Sequence, residues 1–310
     1  MFSEDSTQVA FTGSIQEATS LLPRIGCVAD YWKLTKPRIN FLIAISTITG
    51  FIAAVRANGY ELPRTALLHT VVGTLFLASG TNALNQYLER EYDAQMVRTA
   101  QRPLPAGRIN AQFALWFAVL FCILGVADLY IGANPLSALI AAFTSLTYLI
   151  IYTPLKRITP LSVSVGAIAG ATPPLIGWAG ATNSLGHDAW LLFLLQFLWQ
   201  FPHFMAIAWL YSTDYKRAGY KVLPKNSANS SLVSIQTLLP SVILVGASFM
   251  AVPPRTLDLL AYRLTATGLA IGFMYCVFGF VRSMCSRNAR ILLLASIVYL
   301  PLLFVLRIVV

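Results

Sequence analysis

The sequence predicts an all-α polytopic membrane protein, a bundle of about nine transmembrane helices. Hydrophobic residues make up 57% of the 310 and charged residues only 11%, where soluble domains carry about 25% charge. Mean hydropathy is +0.68. Apolar runs of roughly 17 to 24 residues, the length that crosses a bilayer, recur along almost the whole chain.

Taken in order, the first run covers 40–56 and follows LTKPR at Leu34 to Arg38. The second, 65–88, runs straight into a polar segment. The third and fourth cover 111–130 and 135–152, and Asp128 near the end of the third is almost alone as a charge inside a span. The fifth, 161–179, is rich in Gly and Ala, which let helices approach closely and leave room for a cavity. Its Pro173 and Pro174 break the i to i−4 ladder, as a packing kink or to open the backbone. The sixth, 190–211, carries Pro202 beside His203 and ends in a second polar segment. The last three cover 232–252, 261–281 and 290–307.

Lysine and arginine set the orientation, since basic loops stay cytoplasmic. Seventeen of the 22 basic residues fall on one side when nine spans are counted from a cytoplasmic N-terminus. The other side keeps Arg56, Arg64, Arg255, Arg263 and Arg307. This asymmetry accounts for the net charge of +10 without a nucleic-acid partner; the partner it implies is the lipid bilayer. Residues 1–30 read as a disordered cytoplasmic tail, and 31–310 as one transmembrane domain. With Glu4, Asp5 and Glu17 against a single Arg24, the tail lacks the composition of a mitochondrial transit peptide. A bacterial inner membrane is the expected location rather than the mitochondrial one. Cys27, Cys122, Cys276 and Cys285 have no metal-ligand spacing and read as small packing residues.

Chemistry concentrates in Asn85 to Arg108, NQYLEREYDAQMVRTAQRPLPAGR, which holds three acids and four arginines. Asn85, Glu89 and Asp93 are spaced i, i+4, i+8, so on a helix each is turned about 40° from the last and all share one stripe. Such hard oxygen donors suit Mg²⁺ shared between protein carboxylates and substrate phosphates. Arg98 and Arg102 follow closely enough to meet the same phosphates. The plainer alternative is a solvated helix end with i, i+4 ion pairs. A second cluster, Trp199 to Pro224, faces the same compartment with Asp214 as its one acid, flanked by Lys216, Arg217 and Lys221. If the two clusters meet in space, Asp214 becomes a third carboxylate; taken alone, the second cluster is an ordinary positive-inside loop.

The stripe Asn85-x₃-Glu89-x₃-Asp93 resembles the first acidic motif of the UbiA superfamily of intramembrane prenyltransferases. Its continuation RT-x₂-RPLP, with LTKPR, YTPLKR at Tyr152 to Arg157, GATPPLIGW at Gly170 to Trp178, FPHF at Phe201 to Phe204 and DYKRAGYKVLP from Asp214, is similar to the branch that farnesylates haem. The likeness runs from about Tyr31 to the C-terminus. There are departures. Glu89 stands where the wider superfamily usually has aspartate, and Ser162 where the branch has asparagine. Asp214 replaces a repeated aspartate pair.

The resemblance implies a helix bundle around a central cavity, in which a farnesyl group passes from farnesyl diphosphate to the 2-vinyl group of haem B, giving haem O. It assigns Asn85, Glu89, Asp93 and Asp214 to Mg²⁺ and diphosphate. Lys36, Arg38, Arg98, Arg102, Lys156 and Arg157 become contacts to diphosphate or to haem propionates, undivided between the two. His203 either orients or ligates haem iron or is a hydrogen-bonded packing residue, and a downstream haem A synthase is a candidate partner. A quinone precursor or chlorophyll-type acceptor is the alternative within the superfamily. A transporter is the alternative outside it, though its ionisable groups would line a path through the bilayer.

Overall fold

A computed structural model describes residues 26–223, 230–250 and 259–309, and helices are the sole regular elements among them. They are α1 (Val28–Leu34), α2 (Pro37–Asn58), α3 (Arg64–Asp93), α4 (Ala111–Ala133), α5 (Pro135–Leu155), α6 (Ser162–Gly170), α7 (Pro173–Thr182), α8 (His187–Leu210), α9 (Ser212–Arg217), α10 (Ser230–Met250), α11 (Leu259–Ser283) and α12 (Ser286–Val309). Eight of them are long and apolar enough to cross a membrane. The fifth expected span is the pair α6 and α7, broken at Thr172. Residues 1–25 of the expected tail, with Pro224, Lys225 and Arg255, lie outside the described residues. The end of that tail already belongs to the body, because α1 begins at Val28 and Asp30 is buried beside Arg108 Nε at 3.0 Å.

Local sequence sets the helix ends. Pro37 opens α2, where its missing N–H is not needed, and Gly59 closes it in the left-handed conformation, φ 68°. Asn134 caps α5 by accepting from Ser137 N at 3.0 Å and also donates to Ala179 O at 2.7 Å, which ties α5 to α7. The break before Pro173 leaves carbonyls that no helix satisfies. Two glutamines of α8 serve them: Gln196 Nε2 donates to Gly170 O and Gln200 Nε2 to Ala167 O, both at 2.8 Å. This is how irregular backbone persists at membrane depth.

Helices α2 and α7 approach to backbone contact. A Cβ at Gly177 would lie 1.9 Å from Thr47 O, and one at Gly50 would lie 2.0 Å from Pro174 O. Only glycine on both helices permits this, as small-residue packing in lipid requires. The largest apolar core joins α8 to α10, α11 and α12 through Leu192, Leu195, Leu244, Phe280, Leu292 and Phe304. Large apolar side chains such as Trp116, Ile131 and Tyr275 are exposed on the outside of the bundle, as a lipid-facing surface allows. At the end away from the polar clusters, His69 Nδ1 meets Asp128 Oδ1 at 2.7 Å and Arg307 Nη2 donates to Asp188 Oδ2 at 2.9 Å. Asp128 therefore has a partner that its isolation in the sequence concealed.

Candidate active site

Helix α3 carries its polar stripe inward. Asn85, Glu89 and Asp93 are 2%, 6% and 1% exposed, so the solvated helix end is excluded. Asn85 Oδ1 accepts from Lys36 Nζ at 3.2 Å, and its Nδ2 donates to Thr153 Oγ1 at 3.2 Å. Lys156 Nζ stands 2.6 Å from Glu89 Oε1 in a buried ion pair. Arg102 Nη1 donates to Asp93 Oδ2 at 2.6 Å. Thr99 Oγ1 donates to Asp93 O at 2.8 Å, while buried Met96 and Leu104 pin the loop that returns Arg102 to the stripe.

The cations come from separate elements. Lys36 precedes α2 in a left-handed backbone conformation, φ 52°, which is rare outside glycine and concentrates at functional sites. Desolvation, with the Arg102 charge beside it, pulls its ammonium down to about 7. Burial also works against the charge on Lys156, but the Glu89 carboxylate outweighs it and holds that ammonium above its ordinary value. Lys156 lies 4.6 Å from the centre of the Tyr152 ring and 5.7 Å from that of Tyr220. Burial, then the Glu89 carboxylate, push the Tyr220 phenol up.

The second polar cluster does meet the first. Lys221 N donates to Lys156 O at 2.8 Å, and Asp214 accepts from Val97 N at 3.4 Å and Arg98 N at 3.2 Å. Asp214 thereby caps the turn after α3, and Arg217 is 4.0 Å away. The expected three-carboxylate metal site is not assembled: among the described residues no three His, Cys, Asp or Glu are grouped to hold a metal ion. Asp214 is spent on loop amides instead.

The remaining expected residues divide. Arg98 is exposed and stacks 4.6 Å over Tyr211. Arg157 stacks 4.6 Å over Tyr92 and donates to its hydroxyl. Arg38 is exposed on the first turn of α2 and makes no ion pair among the described residues. His203 lies deeper, on α8. The tyrosines Tyr92, Tyr152, Tyr211 and Tyr220 escaped the sequence reading; their signal was an aromatic beside nearly every basic residue of the motifs. Ser162 is buried and its Oγ has no hydrogen-bond partner, so this hydroxyl makes no bond in place of the longer amide.

Below the charged cluster lies a cavity of about 300 Å³. Tyr148, Tyr152 and Asn82 line it toward the cluster, and Ile43, Leu77 and Leu300 give it apolar walls. A charged mouth over an apolar chamber suits a molecule with an anionic head and a hydrocarbon tail. Asn85, Glu89 and Asp93 offer the hard oxygens that Mg²⁺ prefers, brought together and buried on one helix face. One or two carboxylates with substrate oxygens are enough for that ion, so the donor set fits it without Asp214.

Fold and site together define an intramembrane enzyme of diphosphate-bearing lipids. The chain belongs to the UbiA prenyltransferase family, whose model matches residues 43–302. It is 43% identical to the protoheme IX farnesyltransferase of Solibacter usitatus over 89% of this chain and 96% of that protein. It is 38% identical to the protoheme IX farnesyltransferase of Opitutus terrae, over 88% and 92%. Its fold matches a solved digeranylgeranylglyceryl phosphate synthase with a TM-score of 0.68, at 18% identity over 91% of this chain and 99% of that one. A UbiA homologue from Archaeoglobus fulgidus solved with GPP and Mg²⁺ matches with a TM-score of 0.57 at 15% identity, over 91% and 100%.

Proposed function

We propose that this protein transfers the farnesyl group of farnesyl diphosphate to the 2-vinyl group of haem B, making the hydroxyethylfarnesyl group of haem O. The observation that carries the reading is the pairing of buried Glu89 and Asp93 with Lys156 and Arg102 directly above an apolar chamber. The acceptor rests on the haem-directed relatives, 43% and 38% identical along nearly the whole chain.

In the ion pairs each carboxylate occupies a cation that a diphosphate would also attract. When a diphosphate arrives, Lys156, Arg102 and Lys36 turn to its oxygens, which would leave Glu89, Asp93 and Asn85 as the residues to hold Mg²⁺. That ion would supply charge neutralisation of the diphosphate as a Lewis acid. The C1–O bond of the prenyl donor breaks with both electrons going to the diphosphate, where the ammonium and guanidinium groups stabilise the growing charge. The terminal vinyl carbon attacks C1. Water then adds to the porphyrin-stabilised cation and loses a proton, leaving the hydroxyl. The apolar chamber walls keep water from the first cation, and Asp214 positions the loop that bears Arg98 and Arg102.

By its basic residues this mouth faces the cytoplasm, and the proposed setting is a bacterial inner membrane. Purified protein given haem B, Mg²⁺ and farnesyl diphosphate is expected to yield a porphyrin product with the mass of haem O. Unchanged haem B, with prenylation of a quinone precursor instead, would refute the acceptor.

A further inference from the structure

Lys36 reaches the site from a left-handed backbone, φ 52° and ψ 63°. Pro37 after it disfavours the right-handed helical conformation, so α1 does not run on into α2 and the chain turns at this residue. Glycine takes such a turn without strain, whereas a residue with a side chain keeps it only where its surroundings fix it. That side chain is used, since Lys36 Nζ donates to Asn85 Oδ1 at 3.2 Å.

The fixing comes from α3. Gln86 Nε2 donates to Leu34 O at 2.8 Å, and Asn82 Nδ2 donates to Thr35 O at 3.4 Å. Beyond the turn, Asn82 Nδ2 also donates to Asn40 Oδ1 at 3.2 Å, and Asn40 Nδ2 donates to Ser79 Oγ at 2.8 Å. Ser79, Asn82 and Gln86 are spaced i, i+3, i+7 and so share one face of the helix. Leu34 adds an apolar anchor, fully buried in the cluster with Ala83, Leu104 and Ile109. The chain is thus held to α3 on both sides of Lys36, and the helix that bears the acidic stripe also sets where this ammonium points. Gln86 is 2% exposed and lies outside the cavity wall, so it acts on the site through the turn it holds.

We propose that Gln86 is a positioning residue of the prenyl transfer, seconded by Asn82: the two grip the carbonyls before Lys36 and keep its ammonium preorganised for the diphosphate. This deepens the diphosphate reading and rests on it.

The test titrates the full-length protein in detergent with Mg²⁺ and inorganic diphosphate by calorimetry. Gln86→Met keeps the bulk and removes the donor, and is expected to weaken binding by about 10-fold, within the coupling found inside one hydrogen-bond network. Lys36→Met is expected to weaken it too, and Gln86→Met added to Lys36→Met to weaken it no further. A merely structural role would lower the folded fraction and leave the dissociation constant of the folded protein unchanged. In turnover, KM for farnesyl diphosphate is expected to rise and that for haem B to stay. If Gln86→Met does not fold, Asn82→Ala is read in the same way, with a smaller loss because its bond to Thr35 O is longer. Wild-type affinity in the folded variant, or an undiminished further loss on top of Lys36→Met, overturns the positioning role and leaves the lysine's contact standing. Wild-type affinity in Lys36→Met removes that contact and the positioning role with it. Failure of the wild type to bind removes the diphosphate reading itself.

Discussion

Lys156 Nζ and Glu89 Oε1 stand 2.6 Å apart with side chains 12% and 8% exposed, joining the loop after α5 to the end of α3. Two charges so far from water are stable only as a pair. Removing one partner strands the other, at about 3 to 5 kcal/mol, whereas removing both costs much less. Lys156→Met is therefore expected to lower the unfolding midpoint in detergent further than Lys156→Met combined with Glu89→Gln. A double variant less stable than the single one would show that the pair contributes net stability.

The contact between α2 and α7 leaves no room for a side chain at Gly177. An added methyl would meet Thr47 O, a backbone atom that cannot rotate away. Gly177→Ala should cost about 1 to 3 kcal/mol or more, as overpacking does in a well-packed core. Folded yield and thermal midpoint report it; a wild-type midpoint would mean that the two helices can separate freely.

Ser162→Ala is expected to be tolerated. The hydroxyl is buried without a partner, and a buried polar group that makes no hydrogen bond is a cost to the fold. Its loss should leave the unfolding midpoint within about 1 kcal/mol of wild type, or raise it. A drop well beyond that would reveal a partner for Oγ.

Arg98→Gln and Asp214→Asn should behave alike if Asp214 works through the loop. Arg98 stacks on Tyr211 while Asp214 accepts from its backbone, so either change loosens the same turn. Both are expected to raise KM for the prenyl diphosphate with a smaller change in kcat. Complete loss of kcat in Asp214→Asn at saturating substrate would make it a direct participant.

How much of this was legible in the sequence follows from the range of each signal. The Asn85, Glu89, Asp93 stripe was readable because three residues on one helix need only its period. The broken fifth span was readable in Pro173 and Pro174, which act on their own backbone. Gln196 and Gln200, which satisfy that break, gave no local sign, because a glutamine in an apolar run does not say which carbonyl it will face. His69 with Asp128, and His203 with Ser296, are pairs across helices that no periodicity connects. Asp214 lies beside the first motif and accepts from the amides of Val97 and Arg98, a backbone demand that side-chain patterns do not record.

The central claim is that Asp93 leaves Arg102 to hold a metal-bound diphosphate, and haem O yield in the Asp93→Asn protein measures it most directly. With haem B, farnesyl diphosphate and Mg²⁺ supplied in excess, turnover is expected to fall by about 100-fold or more, with the protein still folded in the membrane. A wild-type yield from Asp93→Asn would contradict it.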